Sequence, residues 1–158
     1  MIFVTVGSQK FPFDRLLQQV DRMVRAGLME EEVFIQTGTS DYQPACPHQA
    51  FCERERFEEL METCDILITH GGAGSMVDAA KRGKRTVAVP RLARYGEHVD
   101  DHQLELVERL HEMNLVYACP EVERLPEALR AVRGHSFAHF PSNTEAFIRA
   151  LDGDIRAL

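Results

Sequence analysis

The chain has 158 residues, of which 44% are hydrophobic and 27% charged, proportions typical of one folded globular domain. These values exclude disordered, collagen-like and coiled-coil chains. The formal net charge of −7, with no basic run interleaved with aromatic residues, argues against a nucleic-acid-binding groove.

Six short apolar runs predict the strands of a sheet. They are continuously apolar and do not alternate with polar residues, which is typical of strands buried on both faces. Gly7 ends the first predicted strand and Pro90 ends the fifth. In chain order the predicted strands cover residues 2–6, 33–36, 50–52, 65–69, 86–89 and 115–118.

Apolar residues at helical spacing lie between these strands. Pro12 occupies a helix-start position, and Gly27 supplies the stop of the same helix. A capping box at 142–145 predicts a terminal helix. The apolar stripes predict helices within 12–27, around 57–61, from the turn after residue 70 through 80, over 104–110, over 125–132 and over 147–151.

The alternation of strands and helices predicts the fold class. It indicates an α/β domain with a Rossmann-like parallel sheet and helices on both faces, formed by residues 1–158 as a single domain. Ligands of such domains bind where the strands end, at the carboxyl edge of the sheet. The segments that follow predicted strands are 7–9, 37–39, 70–75 and 90–103.

The segment 70–75, His-Gly-Gly-Ala-Gly-Ser, has the strongest chemical signal of the four. A glycine-rich turn that opens a helix presents free backbone N–H groups at the positive end of the helix dipole, where a diphosphate can bind. Asp78 follows Ser75 by one turn and suits the diol of a ribose. In the alternative interpretation, the glycines only permit close packing and Asp78 is a solvated helix charge.

Five stretches, namely 7–11, 65–78, 83–84, 87–91 and 97–103, resemble the glycosyltransferase family 28 C-terminal domain. The resemblance covers nearly the whole chain. It implies a fold equivalent to the C-terminal, donor-binding lobe of a GT-B glycosyltransferase. Within that family the chain looks most like the small donor-binding subunits of two-component transferases, such as the dolichol-linked GlcNAc transferase and bacterial exopolysaccharide and capsule enzymes.

The resemblance also implies roles for individual residues. The segment 70–75 would hold the diphosphate of a UDP-sugar, Asp78 the ribose hydroxyls, and 37–39 would lie near the uracil or phosphates. Gln103, with His102 beside it, would read hydroxyls of the donor sugar. The expected substrate-binding residues are Gly7, Ser8, Gln9, Thr37, Gly38, His70, Gly71, Gly72, Ala73, Gly74, Ser75, Asp78, Arg91, His102 and Gln103.

The segment 91–98 contains the candidates for catalysis. Arginines at the mouth of a diphosphate site, Arg91 and Arg94, would neutralise charge on the departing UDP; the alternative is that they belong to a solvated loop. Glu97 and His98 are the local candidates for a general base, a group that related enzymes tend to take from the acceptor lobe. His98 and His102 have metal-ligand spacing, but no third ligand is evident. We therefore expect no metal and no cofactor, with a UDP-sugar as donor substrate.

The implied function is inverting transfer of a hexose-type sugar (GlcNAc, galactose or glucuronate) from a UDP-sugar to a lipid-linked acceptor. A membrane-anchored partner would supply the acceptor lobe. The apolar residues Phe147, Ile148, Leu151, Ile155 and Leu158 form either a docking surface for it or an internal packing face. When isolated, the chain could form a homodimer.

No secretory leader, membrane-spanning run or CxxC pair is present in the sequence. We therefore expect reduced, structural cysteines and a cytoplasmic protein, held peripherally at the inner face of the membrane through its partner. Two alternatives stay open. The chain could be a non-catalytic enhancer subunit of a partner transferase, or a UDP-sugar epimerase or hydrolase-like enzyme.

Overall fold

The computed structural model describes residues 1–140 and, beyond them, Arg149. Within this part of the chain six strands form one parallel sheet with the order β3-β2-β1-β4-β5-β6. The strands are β1 Ile2–Thr5, β2 Val33–Gln36, β3 His48–Gln49, β4 Ile66–His70, β5 Arg85–Val89 and β6 Tyr117–Ala118. The terminal helix predicted over 147–151 and the apolar stripe that it carries lie outside the described residues.

Strand β1 lies at the centre of the sheet, between β2 and β4. Val4 is in register with Ile35 on one side and with Ile68 on the other. These side chains are fully buried, as their continuously apolar sequence predicts. Since all six strands run in the same direction, their carboxyl ends meet at one edge of the sheet.

Helices cover both faces of the sheet, which confirms the predicted Rossmann-like architecture. They are α1 Asp14–Arg25, α2 Arg54–Thr63, α3 Ala73–Lys81, α4 His102–Glu112 and α5 Leu125–Arg133. Buried residues of α1 and α5 pack with Val4 and Ile68 on one face. On the other face α2 packs near Phe3 and Leu67, while α3 and α4 pack near Ala88.

The third strand lies two residues earlier than predicted. The residues that pair with Ile35 and Gln36 are His48 and Gln49, so the predicted strand over 50–52 is wrong. Polar residues form this strand because it is a short edge strand whose backbone hydrogen bonds, rather than buried side chains, hold it in place. The apolar segment 50–52 instead runs past the carboxyl edge of the sheet.

Candidate functional site

A cavity of about 510 Å³ opens at the carboxyl edge of the sheet. Eight of the predicted site residues line it, together with five that the sequence analysis missed. The lining residues are Gly7, Ser8, Gln9, Gln36, Phe51, Cys52, Arg54, Phe57, His70, Gly72, Ala73, Gly74 and Ser75. The cavity therefore brings the loop after β1 and the turn after β4 to the same place.

The first turn of α3 forms one wall of this cavity. Gly72 is the N-cap residue, with an extended backbone, and no side chain in the described part of the chain caps the helix there. In the first backbone hydrogen bond of the helix, the Met76 N–H donates to the Gly72 carbonyl at 3.2 Å. The N–H groups of Ala73, Gly74 and Ser75 precede it and lie at the positive end of the helix dipole. An anion in the cavity can accept hydrogen bonds from them.

His70 is the last residue of β4, and its ring lies between two glycines. A Cβ atom at Gly7 would lie 2.4 Å from Nε2 of the ring, and one at Gly72 would lie 2.3 Å from Cε1. Both positions therefore require glycine, and Gly7 also has a positive φ of 73°. The ring is 4% exposed, and this burial, with the nearby charge of Arg91, lowers the pKa of His70 to about 3. At neutral pH the imidazole is uncharged and can donate one hydrogen bond.

This low pKa predicts a pH-dependent contribution to stability. Below its ordinary pKa of 6.5 the histidine binds a proton in the unfolded chain but not in the folded one, so acid favours unfolding. The free energy of unfolding should fall by about 1.4 kcal/mol per pH unit from this group as the pH drops below 6.5. Denaturant titrations at pH 7.5 and 5.0 give the fall in the free energy of unfolding between these two pH values. This fall should be smaller in His70→Gln than in the wild type, and equal falls would contradict the assignment.

Gly71 and Gln103 do not line the cavity. The N–H of Gly71 donates to Oε1 of Gln103 at 3.1 Å, and a Cβ atom at Gly71 would lie 2.7 Å from Cγ2 of Val107. Gly71 thus permits close packing of the turn against α4, the alternative that the sequence left open. Gln103 is only 2% exposed, and its Oε1 also accepts from the backbone N–H of Arg91. Its amide oxygen therefore connects the turn after β4 with the loop after β5.

Arg91 is not at the mouth of the site, where the sequence placed it. Its side chain is fully buried, and burial lowers the pKa of Arg91 to about 10. The guanidinium donates to the carbonyl oxygens of Val6 at 2.6 Å and Phe11 at 2.8 Å, which flank the cavity wall 7–9. It donates to the Glu97 carbonyl as well, at 3.3 Å. Arg91 therefore holds the loop after β1 against the loop after β5.

Glu97 and His98 are engaged in contacts with their neighbours. The Glu97 carboxylate accepts two hydrogen bonds from Arg15, both at 3.0 Å, and one from the Leu92 N–H. Nδ1 of His98 lies 3.1 Å from a carboxylate oxygen of Asp100. A buried, bidentate ion pair does not leave the Glu97 carboxylate free to take a proton. Glu97 instead stabilises the loop after β5. Neither residue lines the cavity.

The remaining predicted residues also lie outside the cavity lining. The N–H groups of Thr37 and Gly38 bind the carbonyls of Gln49 and Ala50, which anchors the edge of the sheet. The Asp78 carboxylate, 39% exposed, accepts from Nε of Arg82 at 3.0 Å. The backbone N–H of His102 donates to the Asp100 side chain. Within residues 1–140, no three His, Cys, Asp or Glu side chains are clustered so as to hold a metal ion.

The five missed residues come from the ends of β2 and β3 and from the start of α2. Gln36, the last residue of β2, holds the cavity wall: its Nε2 donates to Thr5 and Gly7, and its Oε1 accepts from the Cys52 N–H. The Phe51 ring is 52% exposed at the cavity. The rule that ligands bind after strands would have found Phe51 and Cys52 had β3 been placed correctly. Burial raises the pKa of the Cys52 thiol, the opposite of what a nucleophile requires.

The sheet order, the helices on both faces and a glycine-rich turn opening α3 make this a Rossmann-like domain, the fold that the family resemblance implied. Residues 1–152 match the model of the glycosyltransferase family 28 C-terminal domain, so the chain belongs to that family.

Two curated relatives are UDP-N-acetylglucosamine transferase subunits named ALG13. The mouse protein is 25% identical over 127 residues and the human one 24% over 137 residues. The matches cover 74% and 75% of this chain but only 10% and 11% of those proteins, so the chain spans about a tenth of the length of these relatives.

Two solved structures share the fold. An NMR structure of ALG13 superposes with a TM-score of 0.62 and 19% identity, covering 95% of this chain and 94% of that one. A crystal structure described as the glycotransferase of kitacinnamycin gives a TM-score of 0.64 and 18% identity, covering 99% and 39%. In the described part of the chain, none of the helices combines the length and apolar character that crossing a bilayer requires.

Proposed function

We propose that this chain is the donor-binding, catalytic subunit of an inverting glycosyltransferase. It would move a hexose-type sugar from a UDP-sugar to a lipid-linked acceptor, with the acceptor lobe supplied by a membrane-anchored partner that also holds it at the membrane surface. The observation that carries this proposal is the uncapped first turn of α3 facing a cavity beside a neutral histidine. The family and the printed names of the curated relatives support the choice of a UDP-sugar.

The diphosphate would bind at α3. The N–H groups of Ala73, Gly74 and Ser75 donate to its oxygens, and the dipole of the nine-residue helix favours its charge. As the bond to the sugar breaks, negative charge grows on the departing UDP, and donors already in place stabilise that charge more than they stabilise the bound substrate. The same groups thus serve binding and catalysis without a metal ion.

The nucleoside would extend along the cavity from α3 towards α2. The half-exposed ring of Phe51 provides a surface on which a base can stack, an interaction worth about 1–3 kcal/mol. The resemblance instead assigns the ribose to Asp78, whose carboxylate is bound to Arg82. Titrations of Phe51→Ala and Asp78→Ala with UDP distinguish the two placements. Only replacement of the residue that contacts the nucleoside should weaken UDP binding.

The acceptor hydroxyl needs a general base. Since Glu97 is bound by Arg15, and since neither Glu97 nor His98 lines the cavity, we assign the base to the partner's acceptor lobe. The subunit alone would then bind its donor yet transfer little sugar. The partner would complete the site by covering the open side of the cavity.

Calorimetry and a transfer assay test the proposal together. UDP should bind the isolated chain at least about tenfold more tightly than uridine, a difference of about 1.4 kcal/mol or more from the phosphates. Labelled UDP-GlcNAc, UDP-galactose or UDP-glucuronate, incubated with the chain and membranes of its source organism, should label the lipid fraction. Release of free sugar without membranes would indicate a hydrolase, and equal affinity for UDP and uridine would contradict a diphosphate site.

A further inference from the structure

The amide of Gln103 has one orientation that its neighbours permit. Two backbone N–H groups, those of Gly71 and Arg91, point at the same atom, at 3.1 and 3.0 Å. Only an oxygen can accept them, because an amide nitrogen donates and does not accept. That atom is therefore Oε1, and Nε2 must face the opposite side.

On the opposite side Nε2 of Gln103 lies 3.4 Å from Nδ1 of His70 and 3.4 Å from Oε1 of Gln9. Facing an N–H donor, Nδ1 of the ring must act as the acceptor and cannot carry a proton. The single proton of the neutral imidazole is then on Nε2. Nε2 of His70 faces Gly7 and Gly72, next to the first turn of α3. The ring lines the cavity there.

We propose that Gln103 is a positioning residue that fixes His70 as the Nε2–H tautomer, so that His70 donates a hydrogen bond to the bound diphosphate. The ligand part of this statement rests on the proposed function, whereas the tautomer part does not. This positioning role differs from the one implied by the family resemblance, in which Gln103 hydrogen-bonds to hydroxyls of the donor sugar. With 2% exposure and both ends of its amide already engaged, Gln103 acts through His70.

The geometry explains why a glutamine is needed. Asparagine is one carbon shorter and could not reach both loops from the second position of α4, while glutamate would present an oxygen to Nδ1. In Gln103→Glu one carboxylate oxygen can still accept from Gly71 and Arg91. The other would face Nδ1 of His70, so the ring proton should move to Nδ1. Burial of the ring and the nearby charge of Arg91 oppose a second proton, so the ring should stay neutral.

Nitrogen-15 NMR of the histidine ring tests the tautomer in the free protein. The wild type should show a neutral His70 with its proton on Nε2 from pH 6 to 8. Gln103→Glu should shift the proton to Nδ1, and it should weaken UDP binding about tenfold because Nε2 then has no proton to donate. Gln19→Glu is the matched control: Gln19 is a buried glutamine on α1 that binds Arg22, and its replacement should leave the His70 signals and UDP affinity unchanged.

Each outcome decides a separate statement. A wild-type His70 protonated on Nδ1 would overturn the proposal, and this measurement needs no variant to fold. An Nε2–H tautomer that persists in folded Gln103→Glu would overturn the role of Gln103. A tautomer change without loss of UDP affinity would overturn the hydrogen bond to the ligand. Wild-type protein that shows the expected tautomer but binds no UDP would refute the proposed function and leave the role of Gln103 supported.

Discussion

Replacing Gly74 by aspartate is expected to abolish most UDP binding without loss of stability. Gly74 is the second residue of α3 and lines the cavity, and a Cβ atom there would meet nothing within 4 Å. A carboxylate at this position interacts favourably with the helix dipole, by about 0.3–1 kcal/mol. The same carboxylate would occupy and repel the place of the diphosphate.

The expected loss of UDP affinity follows from the repulsion between the aspartate and the diphosphate. Two unit charges about 4 Å apart at a protein surface interact by about 4 kcal/mol, so the affinity for UDP should fall on the order of 100-fold or more. Gly74→Asn is the matched control, since it has nearly the same shape and no charge, and it should lose far less. Calorimetry gives both affinities, and thermal melting confirms that both variants fold. Equal losses for the two variants would show that bulk, not charge, is responsible.

Replacing Arg91 by methionine is expected to have the largest effect on stability. The guanidinium is fully buried and donates to the carbonyls of Val6, Phe11 and Glu97. Methionine fills much of the space but leaves these acceptors without a donor, at about 1–3 kcal/mol for each one that water cannot reach. We expect the free energy of unfolding to fall by about 3 kcal/mol or more, and the melting temperature by about 10 °C.

Arg94→Met is the control for this substitution. Arg94 lies three residues further in the same segment, is exposed, and stacks over the Tyr95 ring at 4.9 Å. Its replacement should cost less than about 1 kcal/mol. Arg91→Lys should fall between the two, because an ammonium keeps the charge but cannot reach acceptors on two loops with a planar fork. Similar denaturation midpoints for Arg91→Met and Arg94→Met would refute the buried role.

The sheet and most of the cavity could be predicted from the sequence. Buried parallel strands leave continuous apolar runs, and the rule that ligands bind after such strands found Gly7 and the turn 70–75. β3 could not be found in this way, because His48 and Gln49 on an edge strand have no apolar signal. That misplacement concealed Phe51 and Cys52 as cavity residues.

The roles of the polar residues around the cavity were harder to predict. Spacing along a helix placed Asp78 near the site, but the same spacing also puts Arg82 one turn after Asp78, where it binds the carboxylate. An arginine after a strand suggests a surface charge, since arginine is rarely buried, whereas Arg91 is enclosed by loops that lie 79 or more positions away in sequence. Hydrogen bonds between distant loops leave no periodic pattern in a sequence.

The central claim is that the first turn of α3 binds the diphosphate of a UDP-sugar. Its most direct test is an NMR titration that follows the backbone amide signals as UDP is added. The largest shifts should fall on the amides of Ala73, Gly74 and Ser75, and should be nearly absent when uridine is added instead. Shifts of equal size with uridine, or shifts confined to residues away from this turn, would contradict the account.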